Sequence, residues 1–204
     1  MRKIHFILLL MIASAAGVRA QSMRDLFVEA PDTIFPLLTA TNKVDCIDFI
    51  DAGMRARVTN RLDGKSELIS ITPDYLFLRS SGSSTVEMKM LPSPSGPVIA
   101  VVRSVCAEAC DSRITFYNTD WSLAPVLFER PAIEDFFAEG DSAAHYMRLC
   151  DIYLVKLSLS PTDDSLVAEY TMPAYMNDDE AAAVGALLRP VRFRWTEGGF
   201  VRCE

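Results

Sequence analysis

Residues 86–118, VEMKMLPSPSGPVIAVVRSVCAEACDSRITFYN, decide the fold of this chain. Val86, Met88 and Met90 alternate with Glu87 and Lys89, the period of a half-buried strand. The Pro/Ser/Gly run 92–97 cannot continue it and reads as a surface loop. Residues 98–102 are apolar without interruption, so they form a central strand covered on both faces. Residues 113–118 alternate again and turn Ile114 and Phe116 inward. The last two strands are joined through 106–110, CAEAC, and pair as a hairpin.

The same grammar continues outward. Asp63-Gly64 is a turn signal, and 68–72 and 75–79 are strands parted by Pro73-Asp74. A hairpin is expected over 153–159 and 166–172, turned by 161–164. Another closes the chain over 191–195 and 200–203, turned by Gly198-Gly199. Residues 21–41 read as short helical pieces and turns. A helix begins near Lys43, with Asn42 as cap and Asp45 at the third position. It runs to about Met54, with Cys46, Ile47, Ile50 and Met54 on its core face. Residues 133–139 and 141–150 are short helices. Asn177 opens the clearest helix, over 178–189, with Glu180 completing a capping box and Arg189-Pro190 closing it. The class is α+β: an antiparallel sheet of six to nine strands, with helices 43–54 and 178–189 packed against one face.

The N-terminus supplies an address. Arg2 and Lys3 precede an apolar run over 4–16, and Val18-Arg19-Ala20 has the form of a cleavage site. Residues 1–20 are therefore expected to be a signal peptide, and the run is too short to span a bilayer. Gln21 follows the cut, so no lipobox cysteine is present. The mature chain, 21–204, suits one globular domain with no transmembrane segment, in the periplasm or outside the cell. The whole chain carries 20 basic and 27 acidic residues, net −7. Loss of Arg2, Lys3 and Arg19 lowers this by three, to −10. Such a surface repels nucleic acid and anionic lipid headgroups.

All five cysteines lie in the mature part, and five is odd, so at least one is unpaired or bonds another molecule. Cys106 and Cys110 flank a three-residue loop between paired strands and are the disulfide candidate. A redox role is the weaker reading, because such pairs usually appear as C-x-x-C at a helix start. His145 is the sole histidine of the mature part and has no nucleophile motif around it, so it reads as structural. Asp45, Asp48 and Asp51 read as cap and solvated surface. Trp121 with Tyr117 is a candidate ligand-groove pair, against the plainer reading of edge packing. Trp195 belongs to the core. Asp32-Thr33-Ile34, Asp141-Ser142-Ala143 and Asp164-Ser165-Leu166 share the pattern of an O-glycosylation sequon, making Thr33, Ser142 and Ser165 candidate acceptors. No catalytic residue, cofactor site or metal site stands out.

Several segments resemble an uncharacterised family of small exported Bacteroidales proteins, a domain of unknown function. They are 45–54 (DCIDFIDAGM), 58–66 (VTNRLDGKS), 74–78 (DYLFL), 106–121 (CAEACDSRITFYNTDW) and 195–200 (WTEGGF). The resemblance implies a Gram-negative envelope address and no known activity. The expected function is a non-enzymatic envelope module binding a protein, peptide, glycan or lipid. The alternative is a small hydrolase using carboxylates, or a thiol-redox protein using Cys106 and Cys110.

Overall fold

The structure is a computed structural model that describes residues 21–138 and 140–203. The expected signal peptide lies outside the described residues.

Two antiparallel meanders dominate. The first sheet has six strands in chain order: β1 (Ala56–Thr59), β2 (Lys65–Ile71), β3 (Tyr75–Arg79), β4 (Ser84–Leu91), β5 (Val98–Cys106) and β6 (Cys110–Asn118). The second has four, again as neighbours in chain order: β7 (Val155–Leu159), β8 (Ser165–Tyr170), β9 (Val191–Thr196) and β10 (Gly199–Arg202). Among the described residues there are four α-helices: α1 (Met23–Glu29), α2 (Ala40–Asp51), α3 (Asp141–Met147) and α4 (Asp178–Leu187).

Three layers result. On one side of the large sheet, Met23, Leu26 and Phe27 of α1 and Cys46 of α2 pack on Leu68, Leu76, Leu78, Met88 and Val101. On the other side the small sheet brings Leu157, Leu166, Phe193 and Trp195 against Val98, Ala100, Val102 and Phe116. Residues 98–102 are buried throughout, because β5 is covered by helices on one face and by a sheet on the other.

The α+β class and the antiparallel sheet are as the sequence implies, and the early helices do cover one face. Several details differ, beginning with the strands, which divide between two sheets of six and four where one of six to nine is expected. Helix α4 does not join that face: its buried residue, Val184, belongs to the core shared with the second sheet. Thr39, not Asn42, caps α2; Asn42 sits three residues on and returns the bond to the Thr39 backbone, so the box is shifted by one turn. Met54 lies beyond the helix and is exposed, while Lys43 is buried and donates from Nζ to the Ala30 carbonyl at 2.5 Å. The closing hairpin turns through Glu197 and Gly198, both at positive φ (48° and 104°). That is the left-handed geometry a two-residue turn requires.

Candidate functional site

The clearest open site lies along the outer edge of β6. In an antiparallel ladder, alternate residues turn both backbone groups to the same side. On β6 the outward set is Cys110, Ser112, Ile114, Phe116 and Asn118. Both ends of this edge are occupied. Thr171 Oγ1 accepts from the Cys110 N–H at 3.1 Å and donates to its carbonyl at 2.5 Å. At the other end Ala124 N–H donates to the Phe116 carbonyl at 3.0 Å, and Asn118 N–H to the Ser122 carbonyl at 2.8 Å. Between them Ile114, with the N–H of Phe116, faces a groove of about 610 Å3. One wall is Asp111 and 113–116; the other comes from a strap, 123–130, through Leu123, Ala124, 126–128 and Arg130.

The strap is held rather than loose. Phe128 lies against Phe193 and Phe200, with ring centroids 5.1 and 6.2 Å away. Arg130 pairs with Asp111 at 3.1 Å and sits over the Tyr153 ring at 4.7 Å, a cation–π contact. Tyr153 in turn donates to the Pro131 carbonyl at 2.7 Å. Two strap leucines point outward: Leu123 is 71% exposed and Leu127 92%. A second groove of about 480 Å3 lies on the far side of the strap, against Phe193, Phe200 and Arg202. Arg130 lines both. Surface concavities of this size accommodate ligands of drug or peptide size.

A second polar feature is internal. β7 is an edge strand, and its outward N–H groups are met by side chains of the large sheet. Leu159 donates to Glu87 Oε2 at 2.8 Å, Leu157 to Ser112 Oγ at 3.0 Å and Val155 to Asp111 Oδ1 at 3.3 Å. Ser112 and Ser104 share a hydroxyl contact of 2.7 Å, and Tyr75 donates to Glu87 at 3.3 Å. Burial pushes the Glu87 carboxyl above its ordinary range; the Leu159 N–H, the Tyr75 hydroxyl and Lys156 partly offset this. Its lone pairs serve β7 and Tyr75, so Glu87 acts as a structural acceptor. Lys89, on the same face and 2% exposed, reaches Asp74 at 2.7 Å. Sequence alternation alone assigned Glu87 and Lys89 to a solvated face; the second sheet covers them.

The sequence-predicted residues do not converge on one place. Cys106 and Cys110 face each other in the β5–β6 register and are disulfide-bonded, with Cα atoms 4.0 Å apart. Cys46 and Cys150 are free and buried, and Cys203 is free and exposed. Burial pushes the Cys46 thiol up to about 11, so it is a poor nucleophile at neutral pH. Tyr117 and Trp121 do meet, with centroids 5.8 Å apart. They pack on the helix-side core rather than into either groove. Trp121 holds a left-handed φ of 66°, and its indole N–H is buried without a hydrogen-bond partner among the described residues. Thr33 is exposed in a turn after α1. Ser165 opens β8 and its hydroxyl donates to Asp163. Ser142 lies in α3, and its side chain is outside the described set. His145 is exposed beside Tyr146. Asp51 pairs with Arg24, and Asp48 lies exposed on α2. Among the described residues no helix is long and apolar enough to cross a membrane, and no group of three or more His, Cys, Asp or Glu is arranged to hold a metal.

The fold and its open edge define a three-layer α+β domain with two grooves flanking a strap. The chain belongs to the family described as "Protein of unknown function (DUF3256)", which matches over residues 15–200. It is similar to a solved structure of a domain of an uncharacterized protein from Porphyromonas gingivalis W83. That likeness has a TM-score of 0.75 at 25% sequence identity, and covers 90% of this chain and 98% of the other. No curated protein matches the sequence.

Proposed function

We propose that this chain is an exported cell-envelope protein whose 21–204 domain is a binding module without catalytic chemistry. It captures an extended protein or peptide segment along the β6 edge. The observation that carries this reading is the interrupted pairing of that edge. Its two ends are closed by Thr171 and by Ser122 and Ala124, and between them the backbone of Ile114 and the N–H of Phe116 lie along the 610 Å3 groove. An extended chain laid there gains ladder hydrogen bonds, and the exposed Leu123 and Leu127 beside it offer apolar contacts. The envelope address draws support from the leader-like 1–20 segment, the Cys106–Cys110 disulfide and the likeness to a Porphyromonas protein. The disulfide closes the tip of a hairpin, which favours a clip over a redox role.

Ile114→Pro is the test. The Ile114 N–H points into the groove and not toward β5, so proline removes the edge donor and spares the sheet ladder. Peptides selected on the wild-type chain should protect the amides of Ile114 and Phe116 from hydrogen exchange. They should lose most of their affinity for Ile114→Pro. Selected peptides that bind without altering exchange at Ile114 and Phe116 would refute the edge as the binding site.

A further inference from the structure

At the opposite margin of the large sheet, beyond the second sheet, three arginines surround one carboxylate. Arg57, Glu67 and Arg79 are direct cross-strand partners on β1, β2 and β3. Arg55 precedes β1. Its Nε and Nη2 donate to the two Glu67 oxygens at 2.5 and 2.8 Å. Arg57 donates to Oε2 through Nε and Nη2 at 3.1 and 3.0 Å. Three of those four bonds fall on Oε2, which fills it, and one on Oε1. Arg79 then approaches at 3.7 Å with no hydrogen bond. It is surplus to any need of Glu67.

The charge balance is unusual for this chain. Arg24–Asp51, Arg61–Asp32, Lys89–Asp74, Arg130–Asp111 and Arg202–Asp135 are one-to-one pairs. Here three cations share one anion, in a protein of net charge −7. Lys65, one row further on the same face, bonds only the Thr59 hydroxyl, at 2.7 Å. The arginine side chains are 62%, 43% and 47% exposed, while Glu67 is 10% exposed. Glu67 therefore lies beneath the guanidinium groups and orients those of Arg55 and Arg57, while all three arginine side chains stay open to water.

We propose that the Arg55–Arg57–Arg79 shelf binds a single dianionic phosphoryl group carried by a small molecule. The surplus of two positive charges matches such a dianion. The guanidinium fork matches its tetrahedral oxygens better than an ammonium does. Held guanidiniums also lose less freedom on binding than free ones. The acidic remainder of the chain argues for a small ligand. An extended anionic surface would reach past the shelf onto a chain whose net charge is −7, whereas a small ligand stays within the Debye length of the arginines, about 8 Å at physiological salt.

The experiment titrates the purified chain with inorganic phosphate and with glucose 6-phosphate at low salt. It follows the Arg55 and Arg57 Nε–H resonances by NMR and binding by calorimetry, with acetate as the monoanion control. Both phosphates should shift those resonances, and acetate should not. Arg79→Gln should weaken binding about tenfold or more, the worth of one charge-assisted contact, while Arg24→Gln leaves it unchanged. Arg79 makes no hydrogen bond to Glu67, so its substitution spares the fold; unchanged thermal unfolding checks this. No response to either phosphate overturns the proposal, as does a response equal in wild type and Arg79→Gln. Phosphatidylcholine vesicles containing phosphatidic acid form the last arm. Arg79-dependent binding to them without a response to free phosphate overturns the small-ligand assignment. Failure of the β6-edge reading leaves every one of these outcomes unaffected, because the two sites lie at opposite margins of the sheet.

Discussion

Replacing Glu87 tests whether side chains, in place of a fifth strand, hold the second sheet on the first. Glu87 is 7% exposed and accepts from the Leu159 N–H and the Tyr75 hydroxyl. Glu87→Ala leaves both donors buried without an acceptor. Each orphaned group costs roughly 1–3 kcal/mol, so the loss should be about 2–4 kcal/mol, allowing for some rearrangement of the tyrosine. Glu87→Gln keeps an oxygen for Leu159 and removes the ionisable proton. The sign of its effect depends on pH. Burial raises the folded-state pKa above the ordinary 4.5. The carboxyl therefore stabilises the fold fully below 4.5, and this contribution is lost as pH rises through the raised folded value. Urea unfolding of wild type and Glu87→Gln between pH 4 and 8 isolates this group, since the other acids cancel in the difference. Wild type should be relatively strongest at pH 4 and lose ground to Glu87→Gln toward pH 8. A difference that stays flat across the range, or a Glu87→Ala variant as stable as wild type, refutes the reasoning.

Three further outcomes follow from the cysteines and from the buried lysine. Thiol labelling with intact mass should modify Cys203 alone in the native protein. Cys46 and Cys150 should react only after unfolding, and Cys106 and Cys110 only after reduction. Opening that five-residue loop should lower stability by about 2 kcal/mol on the chain-entropy model, read as a shift in the urea midpoint. Asp74→Asn should cost about 1–2 kcal/mol at pH 7, less than for a fully buried pair, because Asp74 is half exposed while Lys89 is buried. Burial alone would raise the Asp74 pKa, but Lys89 and Thr72 hold it below the usual 3.8. The pair therefore stabilises above 3.8 and is lost as pH falls through the depressed value; an Asp74→Asn acid-unfolding curve without this step is the expected result.

Local signals were legible where each residue's own neighbours decide its state. The unbroken apolar run of β5 announced a strand covered twice, and the CAEAC hairpin announced its clip. Asn177 marked the start of α4, accepting from the Glu180 N–H at 3.0 Å. What stayed hidden depends on which surface meets which. Glu87 and Lys89 alternate with Val86 and Met88 as solvated residues do, and nothing local says that another sheet lands on them. Helix α4 carries an apolar side that would fit either face of a sheet. Its placement is fixed by non-local contacts, such as the Ala138 N–H on the Leu187 carbonyl and the Arg189 N–H on that of Phe136. The β6 groove was equally silent. It is made of backbone groups, which every sequence possesses, and by a strap whose anchor, Phe128, reads as one more apolar residue in a connection. The Tyr117–Trp121 pair was visible as a pair, but its face of the sheet was not.

The edges of the two sheets explain why the β6 groove is the place to look for function. An unpaired strand edge invites association with any extended chain, and folded proteins blunt it. Here β1 and β10 are only four residues long. β7 is covered by Glu87, Ser112 and Asp111, and this brings a buried acid into the interior. β6 is nine residues long, the longest edge strand among the described residues. Thr171 closes one of its ends, and a turn with Trp121 in a left-handed conformation closes the other. That conformation costs a residue other than glycine roughly 1–2 kcal/mol. A chain that accepts a buried carboxylate at one edge and a strained tryptophan at another leaves open only a short central stretch of β6, and sets a fixed strap with two exposed leucines beside it. Closing the ends restricts what can add there to a short segment in one register, and the strap restricts its side chains. On the proposed reading such an edge would be selective, whereas a neglected one would be open along its whole length.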